Sequence, residues 1–567
     1  MNVLGISSLD KESTATVVRE GRIVAAVSEE RLSRVKQQGG FPAKAVDLVL
    51  RLSGLTTRDV DRVAYPFFST AKELRLLGQS ALRDFAAWPE KQRRRGSAAT
   101  MRHYAAFAKT VALMGRRLNE SDRQLAAGLG SLGLSDRLRR YDHQYSHAVS
   151  AYYTSGFDRA LIVTLDWYGS GKAGSVYLAE GGALRLIDVM PFPDSLGVLF
   201  AQVTAALGFT PDRHEGKIVG LAACGQPLPL GTEVLARFAE SEDGYRFLDP
   251  FASSSVRAVA GAHSREDVAA AHQWVLETVA IRKIVFHLRR LGLSSVAAAG
   301  GVFANVKLNE RILELPEVDH LFVHPAMTDM GTGTGAAMAA AIEAGDISKP
   351  APIGSVFLGP EYSDDEIQRA LAASGARFEH EPDMPRRVAG LLAAGKVVGR
   401  FVGRMEYGPR ALGNRSVLAS TADRGTTDIL NDKLKRNDFM PFAPATLVSA
   451  AARCYPDVDK VMHAATFMTV CLRCSAWMKE VSPGAVHVDG TARPQIVSRE
   501  SNPDFHQILE HYERLTGIPS VINTSFNIHE EPIVCSPEDA IRVFRLAELD
   551  YLAIGNYLVV RAGTEAP

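Results

Sequence analysis

A chain of 567 residues is too long for one ordinary core, so two or more domains are expected. Lys and Arg together number 64, as do Asp and Glu, which excludes a global field able to gather nucleic acid or an anionic membrane and leaves any anion to local sites. The 46% hydrophobic and 23% charged shares are those of a compact globular protein, and five scattered cysteines suit a reducing compartment better than a disulfide framework.

The opening MNVLGISSLD has no basic segment leading into an apolar one, and no later run approaches the roughly 18 apolar residues of a membrane span, so a cytoplasmic protein is expected. VLGISS, TATVV and, after Gly21, IVAAVSEE read as short strands leading into a helix. Residues from about 71 to 140 are helix-like, and their basic run KQRRRG reads as a solvated helix end. A second copy of the opening unit follows: the apolar strand ALIVTLD, then GSGKAGSVYLAEGG and ALRLIDV paired around a Gly-Gly hairpin. Two such units predict a duplicated α/β domain with nucleotide held between its halves, by analogy with actin and the sugar kinases. Glycine and proline then thicken in GDISKPAPIGSVFLGPEYSDDE, which gives a first domain over 1–345, a linker over 346–366 and a second α/β domain over 367–567. That second domain is expected to use a helix near DEIQRALAAS and strands at GKVVGRFV, PSVINTSFN and YLAIGNYLVV, with Cys471 and Cys474 of its CxxC as buried strand cysteines.

Three constellations carry chemistry. His143 and His147 in YDHQYSHAVSAYY are spaced i, i+4, so they lie one above the other on a helix face, as two ligands of one metal or as core histidines. Asp166 ends the strand ALIVTLD and Asp329 precedes a Gly-rich turn; two histidines and two carboxylates would suit Fe(II), Mn(II) or Zn(II). In the second constellation, AAGGVFANVKLN and DMGTGTGAAM are apolar-to-Gly transitions whose backbone N–H groups are expected to approach a phosphate. Gly331, Gly333 and Gly335 do not form the dinucleotide fingerprint, which excludes a nicotinamide dehydrogenase. Glu215 and Lys217 of HEGKIVGLAACG read either as ribose and phosphate contacts or as a surface ion pair. In the third, Arg404, Arg410, Arg415, Lys435, Arg436 and Arg493 punctuate segments rich in Gly, Pro and apolar residues, while Asn523 and Asn527 flank Thr524 and Ser525; together they predict an anion pocket with an amide-binding edge.

Taken together, SEERLSRVK, HQYSH, HEGKIVGLAACG, GGVFANVKLN, TDMGTGTGAA, GRMEYGPRALGNRS, MPFAP, HVDGTARPQ and NTSFN resemble the carbamoyltransferases of nodulation-factor and antibiotic biosynthesis over nearly the whole chain. The resemblance implies a duplicated actin-like N-terminal domain like that of the threonylcarbamoyl-transfer proteins. It also implies an α/β C-terminal domain with a twisted mixed sheet, like the threonylcarbamoyl-adenylate synthases. The implied reaction joins carbamoyl phosphate and ATP into carbamoyl adenylate, then moves the carbamoyl group to a hydroxyl, or to an amine, of a small molecule of secondary metabolism. Carried over by motif, His143, His147, Asp166 and Asp329 look like metal ligands, for Fe(II) by preference, with Mg(II) accompanying ATP. Glu215, Lys217, Asn305 and Asn309 look like adenylate contacts; Arg410, Arg415, Lys435, Arg493 and Asn523 look like contacts to carbamoyl phosphate and ATP. Lys11, Lys36, His143 and Asp329 look like the catalytic groups. The expected partners are carbamoyl phosphate and a small-molecule acceptor, with neither nucleic acid nor membrane, and a homodimer is left open.

Two departures stand out. Lys11 to Thr14 occupy the place of the family's His-Asp pair, and Lys11 replaces that His as a base only where desolvation or a nearby metal lowers its pKa; otherwise it is a structural or anion contact. Met440 replaces an Arg before PFAP, with Arg436 nearby to compensate. Two other classes compete with the enzyme: a degenerate adenylate-binding scaffold and an actin-like kinase. Conversion of ATP to AMP and pyrophosphate that depends on carbamoyl phosphate separates all three, because a scaffold gives none and a kinase gives ADP.

Overall fold

The computed structural model describes residues 1–567 except 10, 87, 252, 436–441, 562 and 564–567. Arg436 and Met440 therefore lie outside the described residues. The chain forms two compact units, Met1–Val24 with Gly39–Val46 and Ser53–Ile353, and Ala25–Gln38 with Asp47–Leu52 and Gly354–Pro567. Among the described residues no helix is long and apolar enough to cross a membrane.

In the first unit, β1 (Asn2–Ser7), β2 (Thr14–Arg19), β3 (Arg22–Ser28), β4 (Arg62–Tyr65) and β5 (Leu138–Arg140) form a sheet of order β3-β2-β1-β4-β5. A second sheet of β6 (Arg159–Gly169), β7 (Lys172–Glu180), β8 (Ala183–Pro191), β9 (Ser295–Ala299) and β10 (His320–Val323) repeats it as β8-β7-β6-β9-β10. In both sheets the first strand pairs antiparallel with the second and parallel with the fourth, so the duplication read from the two strand-and-turn copies is real at the level of topology. The fold is α/β, with a duplicated first unit. Gly181 and Gly182 turn the β7–β8 hairpin with both φ values positive, the conformation that a two-residue primed turn demands.

The glycines of DMGTGTGAA have a packing task that the sequence did not show. A Cβ on Gly335 would lie 2.0 Å from the carbonyl oxygen of Ser146, and one on Gly5 would lie 2.1 Å from that of Gly333. Gly333 and Gly335 thus let the helix Thr332–Glu343 meet β1 and the helix His143–Ser155 backbone to backbone. Their missing side chains serve helix packing, and Asp329 stands one turn before the helix. Gly335→Ala is expected to destabilise the protein by about 1–3 kcal/mol, read from urea unfolding, since the obstructing atom is backbone and cannot swing away.

The second unit is built on a mixed eight-stranded sheet of β11 (Phe378–His380), β12 (Val398–Phe401), β13 (Arg415–Ser420), β14 (Ala443–Leu447), β15 (Gln495–Val497), β16 (Ser520–Ser525), β17 (Tyr551–Ile554) and β18 (Tyr557–Val560), in the order β11-β18-β17-β12-β13-β16-β14-β15. Alternation along the strands divides the core: Val417 and Ile522 enter one hydrophobic cluster, while their neighbours Leu418 and Val521 enter the other. The helix Pro503–Thr516 covers the second cluster through Phe505, Ile508, Leu509 and Tyr512. Cys471 and Cys474 flank the two-residue strand Leu472–Arg473, and both are buried free thiols.

Candidate active site

The helix His143–Ser155 begins at Asp142, whose carboxylate caps the Tyr145 N–H at 3.0 Å and accepts from Lys172 Nζ at 2.7 Å. That cap fixes where the helix starts and so aims both histidines at one point. The rings of His143 and His147 are fully buried and stand nearly perpendicular with centroids 4.7 Å apart. Asp166 Oδ2 lies 2.9 Å from His143 Nε2 and 3.3 Å from His147 Nε2, and Asp329 Oδ1 lies 3.4 and 3.6 Å from the same atoms. One ligand atom from each of the four residues falls in a group within 4.8 Å. The other oxygen of Asp166 is held by the N–H groups of Trp167 and Gly301, which leaves Oδ2 to the cluster.

Electrostatics agree with a cation site. Burial works against the His143 imidazolium, yet Asp329 and Asp166 overcome it and lift the ring to about 10. Burial likewise opposes ionised Asp329 and Asp166, but the imidazoles hold both carboxyls below their ordinary range. Two nitrogens and two anionic oxygens, gathered out of water, are a donor set that fits a divalent metal. Nδ1 of each histidine is buried without a hydrogen-bond partner among the described residues, so packing orients the rings. The Phe67 ring lies 4.4 Å from that of His143, and a Cβ on Gly169 would sit 2.0 Å from His143 Cδ2. Behind them, buried Glu73 accepts from Tyr168 and Ser170 at 2.7 and 3.0 Å, and Ser170 Oγ accepts the His143 N–H at 3.1 Å. The sequence reading missed this supporting layer, because an isolated Glu in a helical stretch carries no signal.

Lys11 lies 3.3 Å from Asp212 Oδ1. Burial alone would lower its pKa, but Asp212, Glu12, Asp329 and Glu215 raise it above the ordinary lysine value. Desolvation therefore does not create a lysine base here. Glu215 accepts the Asp212 N–H at 2.6 Å at the start of its helix, and Lys217 lies 5.6 Å from the Phe209 ring centre. Asn305 caps the helix Val306–Leu313 through the Leu308 N–H and exchanges two hydrogen bonds with Gln273 at 2.8 and 3.1 Å, while Asn309 donates to the Phe303 carbonyl at 2.8 Å. The fold thus spends Asn305 largely on its own architecture.

In the second unit, the loop GRMEYGPRALGNRS winds around Glu406, a buried carboxylate with one oxygen accepting the N–H groups of Leu412, Asn414 and Arg415 at 2.8, 2.7 and 3.1 Å. Arg415 is fully buried against the Phe401 ring, and its two terminal nitrogens donate to the carbonyls of Val402, Asn414, Pro360 and Gly403. Every hydrogen on those two nitrogens is used, which leaves Nε, buried without a hydrogen-bond partner among the described residues, as the one donor not spent on the fold. Arg410 and Arg493 differ. Burial lowers both, Arg410 to about 9 with Arg493 as the second cause, and no carboxylate pairs with either among the described residues. Two neighbouring half-buried cations without a carboxylate partner are the mark of an anion site. Lys435 is exposed with φ +55°, and Lys36, in the segment Ala25–Gln38 of this unit, lies 3.8 Å from buried Glu30. The same segment is tied down by Arg34, which donates to the carbonyls of Ile533 and Pro532 at 2.7 Å each, and by Arg31, which donates to that of Gly408 at 3.1 Å.

Against known proteins, the family profile described as Carbamoyltransferase N-terminus matches residues 2–338 and the one described as Carbamoyltransferase C-terminus matches residues 389–561. The chain belongs to the carbamoyltransferase family. Nodulation protein NolNO of Sinorhizobium fredii is 31% identical over 97% of this chain and 78% of its own length. Nodulation protein NolO of Bradyrhizobium diazoefficiens is 33% identical over 74% of this chain and 78% of its own length. Among solved structures, HypF of T. kodakarensis overlaps 61% of the carbamoyltransferase and 48% of its own chain at 12% identity, with a TM-score of 0.36.

Proposed function

We propose that this carbamoyltransferase works by two half-reactions, one in each unit. In the second unit, carbamoyl phosphate gives up its phosphate to water, leaving carbamate and inorganic phosphate. A carbamate oxygen then bonds to the α-phosphorus of ATP, and pyrophosphate leaves. In the first unit, a hydroxyl or amine of a small natural product attacks the carbamoyl carbon, AMP leaves, and the acceptor proton passes to solvent. What supports this reading is that two chemically different sites stand in the two units, an uncompensated pair of arginines in one and a buried His2Asp2 cluster in the other.

Arg410 and Arg493 hold phosphate charge, and Asn523 holds the amide. His143, His147, Asp166 and Asp329 hold a divalent metal, with Fe(II) as our assignment and Mg(II) accompanying ATP. When bound, that metal supplies positive charge to the adenylate phosphate as AMP departs. Lys11, kept as an ammonium by its carboxylate neighbours, is an anion contact beside Glu215 rather than a base. The protein works in the cytoplasm on small molecules, without nucleic acid or membrane. The testing experiment is pyrophosphate release by the purified protein given ATP and carbamoyl phosphate. Release that needs carbamoyl phosphate and yields AMP is the expected result; ADP, or no turnover with either metal, would overturn it.

A further inference from the structure

Gln495 lies two residues beyond Arg493 on the edge strand β15, buried and absent from the contacts assigned above. Its Nε2 donates to the Leu412 carbonyl at 2.8 Å, an acceptor that takes only a donor, so its Oε1 must face the other way. There it accepts from Asn523 Nδ2 at 2.7 Å, and the second hydrogen of Nδ2 goes to the Ala411 carbonyl at 3.2 Å. Two backbone carbonyls from the Arg410 loop thus lock two carboxamides in one orientation. The result is that Asn523 Oδ1, in a side chain 1% exposed, is a buried acceptor without a protein donor among the described residues. Such a group is costly unless a ligand satisfies it, and the ligand must bring an N–H or O–H.

Resting on the reaction proposed above, we infer that Gln495 is the positioning residue that makes the anion pocket selective for an amide. By consuming both Asn523 hydrogens together with Ala411, it leaves only an acceptor facing the ligand, which a carbamoyl NH2 satisfies and an acetyl methyl of nearly the same size does not. Gln495→Leu removes the shorter of the two contacts that hold the Asn523 NH2 and leaves only the 3.2 Å one to the Ala411 carbonyl. The Asn523 carboxamide is then held weakly enough to turn its NH2 inward toward a ligand, and the distinction between amide and methyl fades.

The test compares the inhibition constant of acetyl phosphate with the Michaelis constant of carbamoyl phosphate in pyrophosphate release. In the wild type acetyl phosphate is expected to bind about 30- to 100-fold more weakly, the cost of leaving one buried acceptor unpaired. In Gln495→Leu the two constants converge to within about fivefold, with the Michaelis constant for ATP unchanged; a merely structural role would move ATP and both acyl phosphates together. Equal binding of the two acyl phosphates by the wild type would overturn the inference without any variant. So would a folded Gln495→Leu protein that keeps the wild-type ratio. If carbamoyl phosphate elicits no pyrophosphate at all, the proposed reaction fails first, and the inference with it.

Discussion

Asp329→Asn and His143→Ala are each expected to cut carbamoyl transfer to the acceptor by about 10³-fold or more while leaving pyrophosphate release from ATP and carbamoyl phosphate within a few-fold of wild type. The four candidate ligand atoms lie within one 4.8 Å group in the first unit, and the Arg410–Arg493 pair belongs to the second, so under the proposed scheme the two half-reactions do not share their charged groups. Asn at 329 keeps the shape of the site and deletes one charge. Ala at 143 leaves Asp166 and Asp329 with less positive charge to offset them, so it also lowers stability by about 3–5 kcal/mol, as removal of one partner of a buried pair does. Thermal melting separates that loss from the loss of chemistry: Asp329→Asn must be dead in transfer yet close to the wild type in stability. If both half-reactions fall equally in a folded variant, the division of labour is wrong.

The gathering of His143 and His147 was readable because it obeys a local rule. An i, i+4 pair on a helix has a fixed geometry whatever surrounds it, whereas Asp166, inside β6 rather than at its end and just past the break in its pairing with β7, and Asp329 depended on long-range placement. Glycine was harder to read. Gly333 and Gly335 look the same in sequence whether they free N–H groups for a phosphate or remove Cβ atoms for a neighbouring backbone, and the packing use shows only in the structure, where a Cβ on Gly335 would lie 2.0 Å from the Ser146 carbonyl. The arginines of GPRALGNR pose the same difficulty. Arg410 and Arg415 sit five positions apart in one motif, yet four carbonyls take the terminal nitrogens of Arg415 and none was visible beforehand. The alternatives for Lys11 stayed open in the sequence for want of Asp212, a partner two hundred residues on that raises the pKa burial alone would lower.

Glu406 belongs with these invisible supports and explains why the loop is rigid enough to bind anything. A carboxylate that accepts the N–H groups of Leu412, Asn414 and Arg415 pins the stretch that follows Arg410. Arg400 adds a second brace by donating to the Gly413 carbonyl and to Asn414 Oδ1, which also accepts from Asn502 at 2.9 Å. The loop is therefore organised before ligand arrives, and the cost of ordering it is not drawn from binding.

Preorganisation has a price in stability that Arg493→Met is expected to reveal. Holding Arg410 and Arg493 near each other without a carboxylate, both lowered by burial, is unfavourable in the empty protein, and methionine replaces one half-buried cation with an apolar chain of similar length. The variant should melt at or above the wild-type temperature. The same change removes a charge that the phosphates need, so pyrophosphate release should fall by about 10³-fold, and transfer with it, because no adenylate is made. Carbamoyl phosphate should raise the melting temperature of the wild type and not that of the variant. A variant that is both less stable and inactive would mean that Arg493 is a structural brace like Arg415. A gain in stability paired with a loss of catalysis assigns its strain to function, since only the ligand's charge can then be what the two arginines are held apart from water to meet.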